Sequence, residues 1–126
     1  MRAVDTNVLV RLAIRDEAVQ LAAAEDFIAA GAWVSQLVLM ETIWVLATAY
    51  RLTPEKIAVA VEIFLNHHDL SIQDGDTVAA ALDRFRQRPA VGFSDCLILE
   101  AARKAGHLPL GTFDRELSRL EGAQRL

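Results

Sequence analysis

Short apolar runs alternate along the chain with longer stretches of helical periodicity. Ala3-Val4 is followed at once by Asp5-Thr6-Asn7, then by Val8, Leu9, Val10 and Leu12. This predicts a short buried strand feeding a helix that opens near Thr6 or Asn7. Asp and Asn suit such a junction because their side chains accept from unpaired first-turn amides. Val19, Leu21, Ala22, Phe27 and Ile28, with acids between them, predict an amphipathic helix from about Asp16 to Ala30, stopped by Gly31. Ala32-Trp33-Val34 reads as a second strand, and Ser35 as the N-cap of a helix from Gln36 to about Tyr50. That helix is apolar almost all round, so it is expected to be buried. Thr53-Pro54-Glu55 marks the next helix start, with the helix running to about Asn66. Asp69 to Ile72 is the third expected strand. Asp74 or Asp76 then caps a helix through Val78, Leu82 and Phe85 to about Gln87. Ser94-Asp95 opens a helix that Gly106 closes. Leu108 to Thr112 is the fourth expected strand, with Pro109 best placed at its start. Phe113-Asp114 leads into a short last helix.

The resulting order, βααβααβαβα, is that of an α/β fold: a short parallel sheet covered by helices on both faces. In such sheets ligands bind beyond the carboxyl ends of the strands, where helices begin. A length of 126 residues suits a single domain over 1–126, and 53% hydrophobic residues are enough to build a core. The lone Cys96 excludes an internal disulfide and a cysteine-rich metal site. Asp5 interrupts the start too early for a secretory apolar segment, and Glu41 interrupts the most apolar stretch, Ala32 to Tyr50. The expectation is a cytoplasmic protein with no membrane contact.

Four acids stand out on this layout. Asp5 and Asp114 directly follow the first and fourth strands, and Asp95 lies in the first turn of its helix. Glu41 lies about two turns into the helix after the second strand, inside Leu37-Val38-Leu39-Met40-Glu41-Thr42-Ile43. A carboxylate buried in that run needs a cation, because leaving it isolated costs several kcal/mol. Acids gathered in one place cannot neutralise each other, but a divalent metal can. Oxygen-only donors favour Mg²⁺, with Mn²⁺ able to substitute. Zinc has no support, since adjacent His67-His68 cannot share a helix face. Charge is compatible with this picture. The net charge is −4, with 17 acids against 13 Lys and Arg; setting four acids aside in a metal site leaves the remainder neutral.

Each acid also has a plainer reading: Asp5 and Asp114 as N-caps, Asp95 as a first-turn acid on the helix dipole, Glu41 as a satisfied buried carboxylate. Thr6, Asn7, Ser94 and Thr112 flank the acids and are candidates to orient them. Cys96 reads as a packing residue. Arg84, Arg86 and Arg88 form a short basic run, read as a solvated face with phosphate contact as the alternative. The aromatics are too few and scattered to mark a base-stacking platform.

Asp5-Thr6-Asn7-Val8-Leu9-Val10-Arg11, Glu41 in its apolar helix, Ser94-Asp95-Cys96-Leu97-Ile98 and Thr112-Phe113-Asp114-Arg115 together resemble the PIN-domain family. The small size points to its VapC-type toxins. The resemblance covers essentially the whole chain. It implies a three-layer α/β/α sandwich and a Mg²⁺- or Mn²⁺-dependent endoribonuclease. It also implies that Asp5, Glu41, Asp95 and Asp114 form the acidic quartet that binds metal and carries catalysis. Thr6, Asn7 and Thr112 match the residues lining that site. A homodimer and a cognate VapB-type antitoxin are implied as well. Cys96 departs from the Ala that many relatives carry after the third acid, and Pro109 and Gly111 make the fourth strand unusual.

Two other readings compete. An aspartyl phosphohydrolase wants a second acid two residues after the first, where Asn7 stands, and a receiver domain wants paired acids and a late lysine. A PIN-like scaffold that binds RNA or protein without cutting would be free to lose an acid, yet all four are present.

Overall fold

The computed structural model describes all 126 residues. Its elements are β1 (Arg2–Ala3), α1 (Thr6–Ile14), α2 (Ala18–Ile28), β2 (Ala32–Val34), α3 (Gln36–Thr48), α4 (Pro54–Asn66), β3 (Leu70–Ile72), α5 (Gly75–Gln87), α6 (Phe93–Ala105), β4 (Leu110–Thr112) and β5 (Ala123–Arg125), with 3-10 turns at Pro89–Val91 and Leu117–Arg119. The α/β class and the parallel strands are as expected. The chain divides into two compact units, Met1–Gly75 and Asp76–Leu126.

In the first unit β1, β2 and β3 form a parallel sheet with β2 in the middle. Arg2 pairs with Ala32, and Ala32 with Leu70. Two helices separate each strand from the next, which gives the chain the length a parallel crossover needs. Ala32 and Val34 face inward while Trp33 points out, the two-residue alternation of a strand. Helix starts follow their sequence signals. Ser35 Oγ accepts from the Val38 amide at 3.1 Å. Thr53 Oγ1 accepts from the Lys56 amide at 3.3 Å, with Pro54 in the first turn. Leu9, Val10, Ile28, Leu39, Leu46, Val61 and Phe64 fill the core.

One expectation fails here. Helix α3 is not buried all round. It packs on α1 and α4 through Leu39, Thr42, Ile43 and Leu46. Its opposite face is open, with Leu37 82% and Trp44 64% exposed and Glu41 exposed between them. Thirteen residues make more than three turns, and packing on two neighbouring helices covers only one stripe of them.

The second unit begins with α5, at the boundary. Phe85 of α5 meets Phe93 of α6 edge-on, with ring centroids 6.1 Å apart. β4 and β5 pair in parallel as a separate two-stranded sheet, Leu110 opposite Ala123 and Thr112 opposite Arg125. Two expectations are corrected. The fourth strand does not join the sheet of β1 to β3, and it starts only after Pro109, which has no amide to donate. The Leu110 amide makes its first bond, to Gly122 O at 2.8 Å. The expected last helix is a single 3-10 turn. Gly122, at φ 96°, then turns the chain into β5, a strand too short for its alternation to be noticed in the sequence. No helix is long and apolar enough to cross a membrane.

Phe64 is 1% exposed. Phe64→Ala should therefore lower stability by about 4 kcal/mol, whereas Thr53→Ala, which removes only a cap, should lower it by about 1 kcal/mol. Urea unfolding of the two variants checks both the order and the gap.

Candidate functional site

In the first unit, Asp5 is the N-cap of α1. Its backbone is extended, at φ −100°, and Oδ1 accepts from the Val8 amide at 3.4 Å. That bond is long, so the capping role leaves most of the carboxylate open to solvent. The next residue, Thr6, is buried, and its hydroxyl donates to Glu41 Oε1. Two of the predicted residues are thus joined, α1 to α3, across the contact between these helices. Glu41 itself is exposed, so its expected burial is corrected: it needs no cation to survive desolvation. Asn7 lies on the exposed side of α1. It lines a shallow groove with Val8 and Arg11 of α1, Glu17, and Gln20 and Phe27 of α2. Arg11 is already engaged, donating to the Tyr50 hydroxyl at 2.6 Å and to Asp16 at 3.3 Å.

In the second unit, Asp95 sits in the first turn of α6 and is half-buried. Desolvation holds its carboxyl above the ordinary range, and the negative charge of Asp114 adds to the shift. Asp114 is exposed and anchored twice. Its Oδ1 accepts from the Leu117 amide at 2.8 Å, capping the 3-10 turn. Its own amide donates to Thr112 Oγ1 at 2.9 Å. Thr112 therefore fixes the backbone that presents Asp114. Ser94 is half-buried immediately before Asp95. Cys96 is fully buried, and its thiol is pushed up to about 11, by burial first and then by Asp95 and Glu100 against the opposing Arg84. A thiol so protonated packs and does not attack.

Glu100 is a residue that the pattern of strand ends and caps does not single out. It is buried on α6 between two arginines: Arg103 Nε lies 2.9 Å from Oε2 and Arg84 Nε 3.5 Å from Oε1. Arg103 also donates to the Glu121 carbonyl at 2.6 Å. The signal available in the sequence was an acid closing Leu97-Ile98-Leu99 with Arg103 three residues on. Arg84 is accordingly no part of a solvated basic run: it ties α5 to α6. Arg88 is exposed.

No lysine or arginine forms an ion pair with Asp5, Glu41, Asp95 or Asp114, although Asp16, Glu25, Asp69, Asp76, Glu100 and Glu116 are each paired with a basic side chain. Within neither unit do three ligating side chains gather; each unit carries two of the four acids. The donor chemistry nevertheless fits a hard divalent cation. The set is oxygen-only, it carries no competing protein cation, and Asp95 with Asp114 is a like-charge pair that positive charge would relieve.

Residues 2–123 match the family model of the PIN domain, a span that covers nearly the whole chain. The PIN domain is a nuclease fold whose members are commonly metal-dependent ribonucleases, and the α/β architecture with a short parallel sheet agrees with it. No curated protein and no solved structure matches the chain.

Glu100→Gln keeps the shape but leaves two arginines facing a neutral amide. Stability should fall by about 2 kcal/mol, less than for a fully buried pair because both arginines reach solvent. Urea unfolding measures the loss, and high salt should shrink it.

Proposed function

The chain belongs to the PIN-domain family, and from that premise we propose that it is a Mg²⁺- or Mn²⁺-dependent endoribonuclease, the VapC-type toxin of a toxin–antitoxin pair. The observation that carries the reading is the set of four acids that no protein cation neutralises, two of them pressing on each other as like charges. On this reading the protein acts in the cytoplasm as a homodimer, and a VapB-type antitoxin silences it.

Asp5 and Asp95 are proposed as direct metal ligands, with Glu41 completing the set and Asp114 holding a second ion or a water. When bound, the cation supplies positive charge to the phosphate oxygens and to the departing 3′-oxygen, and it eases deprotonation of the attacking water. The chain's own residues supply placement. Thr6 holds Glu41 through one oxygen and leaves the other oxygen unbonded. Thr112 fixes the turn at Asp114, and the Leu117 amide fixes one Asp114 oxygen. Asn7, exposed on α1 two residues after Asp5, is proposed to line the site. The reaction is hydrolysis: water adds to phosphorus, the P–O3′ bond breaks, and the products carry a 5′-phosphate and a 3′-hydroxyl.

Purified protein should cut RNA with Mg²⁺ or Mn²⁺ and fall silent in EDTA, and end-mapping should find 5′-phosphates. Asp5→Asn and Asp95→Asn should each lower the rate by about a hundredfold or more, the several kcal/mol that a metal centre supplies, while the circular dichroism spectrum stays native. Mn²⁺ should raise the Tm of the wild type and leave that of Asp5→Asn unchanged. Wild-type cleavage by either variant would overturn the assignment.

A further inference from the structure

Residues 110–126 fold back on themselves. β4 runs into the turn at Asp114, the 3-10 turn Leu117–Arg119 follows, and β5 returns alongside β4. Backbone bonds close the module at both ends. The Leu110 amide donates to Gly122 O at 2.8 Å, and the Leu126 amide donates to Thr112 O at 2.9 Å. Thr112 is thereby held from two sides. Its carbonyl accepts from the end of β5, and its hydroxyl accepts from the Asp114 amide at 2.9 Å. A displacement of β5 therefore reaches Thr112, and Thr112 carries Asp114.

This module stands against α6, the helix of Asp95. The charge of Asp114 contributes to holding the Asp95 carboxyl above its ordinary range. Like charges repel, so the rest of the structure must keep these two acids close. Backbone contact does little of this, because the strands and the 3-10 turn approach the α6 backbone at few points. A side chain spans the gap. Arg103, about two turns beyond Asp95 on α6, donates through Nη2 to the Glu121 carbonyl at 2.6 Å and through Nε to Glu100 Oε2 at 2.9 Å. The first acceptor lies at the entry to β5, the second on α6 itself. A planar guanidinium presents donors to both acceptors at once, whereas a lysine ammonium is a point charge on a flexible stem. Glu100 is buried and shared with Arg84 of α5, which gives the guanidinium a fixed base from which to reach the turn.

We infer that Arg103 is a positioning residue for Asp114: it holds the β4–β5 module against α6, so that Asp114 stays within reach of a cation bound at Asp95. The inference rests on the metal-dependent reading and adds to it a residue outside the four acids and their flanking hydroxyls. Arg103 forms no ion pair with either aspartate. Its influence runs through the Glu121 carbonyl, β5 and Thr112.

The test is Mn²⁺ binding, followed by the loss of the free-ion electron paramagnetic resonance signal, with urea unfolding of the same samples. Arg103→Lys keeps a positive charge beside Glu100, so the fold survives, but it cannot serve the Glu121 carbonyl at the same time. Its Mn²⁺ affinity should fall by about tenfold, the lower end of what losing an outer supporting bond costs a metal site. Arg103→Gln, which also gives up the double grip, should do the same. Glu100→Gln keeps the arginine and its bond to the turn, so it should bind Mn²⁺ like the wild type despite its lost stability. Glu121→Ala spares the accepting carbonyl and should change neither property. Asp114→Asn should weaken binding, and adding Arg103→Lys to it should weaken binding no further, because the arginine acts through that carboxylate. Wild-type affinity in both Arg103 variants, a further loss in the double variant, or affinities that simply follow stability across the set would each overturn the inference and leave the nuclease reading intact. A wild type that binds no Mn²⁺ would overturn the inference and the metal site together. The nuclease reading stands or falls separately, on RNA cleavage and its loss in Asp5→Asn.

Discussion

Unpaired amides at the start of a helical segment call for acceptors, and two of the four acids singled out at the strand ends answer that call. Asp5 caps α1 and Asp114 caps the 3-10 turn before β5, each through one carboxylate oxygen. The cap holds the side chain at a strand end, where an isolated carboxylate would otherwise swing freely. It is therefore mistaken to treat capping and chemistry as rival explanations for these residues. A carboxylate has two oxygens, and in both cases one oxygen is enough for the backbone. Glu41, in mid-helix, has no amide to cap, and a threonine hydroxyl from the neighbouring helix takes that place.

Where local chemistry decides structure, the sequence was readable. The starts of α3 and α4 follow Ser35 and Thr53-Pro54, and the αL glycine Gly106 ends α6. The acids and the hydroxyls beside them were visible for the same reason, since strand ends and caps leave local marks. Failures came where the answer depends on what another element covers. The apolar run of α3 looked like a buried helix because composition alone does not show how many neighbours a helix has. It has a covered stripe and a bare one, and Glu41, Leu37 and Trp44 share the bare one. β5 was missed because three residues of Ala-Gln-Arg carry no strand signal of their own, and only their pairing with β4 makes them a strand. The aromatics looked scattered in sequence, yet burial separates the core rings Phe64, Phe85 and Phe93 from the partly covered Phe27, Trp33 and Tyr50 and the bare Trp44 and Phe113.

The ion pairs show how charge is apportioned. Glu100 takes Arg84 and Arg103, Asp76 takes Lys104, and Asp16 takes Arg11. The acidic excess of the chain is thus not a diffuse property: much of the charge is cancelled locally, and the acids at the strand ends are among those left uncancelled. Lys104 holds the Asp76 carboxyl below its usual range through a hydrogen bond, while Asp95 moves the other way. Two aspartates of one unit are thus pushed apart in acidity, one by a lysine and the other by burial beside a second carboxylate.

Gly122 has an effect beyond turning the chain into β5. A β-carbon there would come within 3.0 Å of Arg103 Nη2, so the bare backbone of this turn is the floor on which the guanidinium rests while it reaches Glu100 and the Glu121 carbonyl. Any side chain at 122 would meet both a backbone angle that residues other than glycine rarely adopt and a displaced arginine. The slack would pass to Glu100, a turn and a half along α6 from Asp95. A residue near the end of the chain with no chemical group of its own thereby limits which sequences can keep that helix in place.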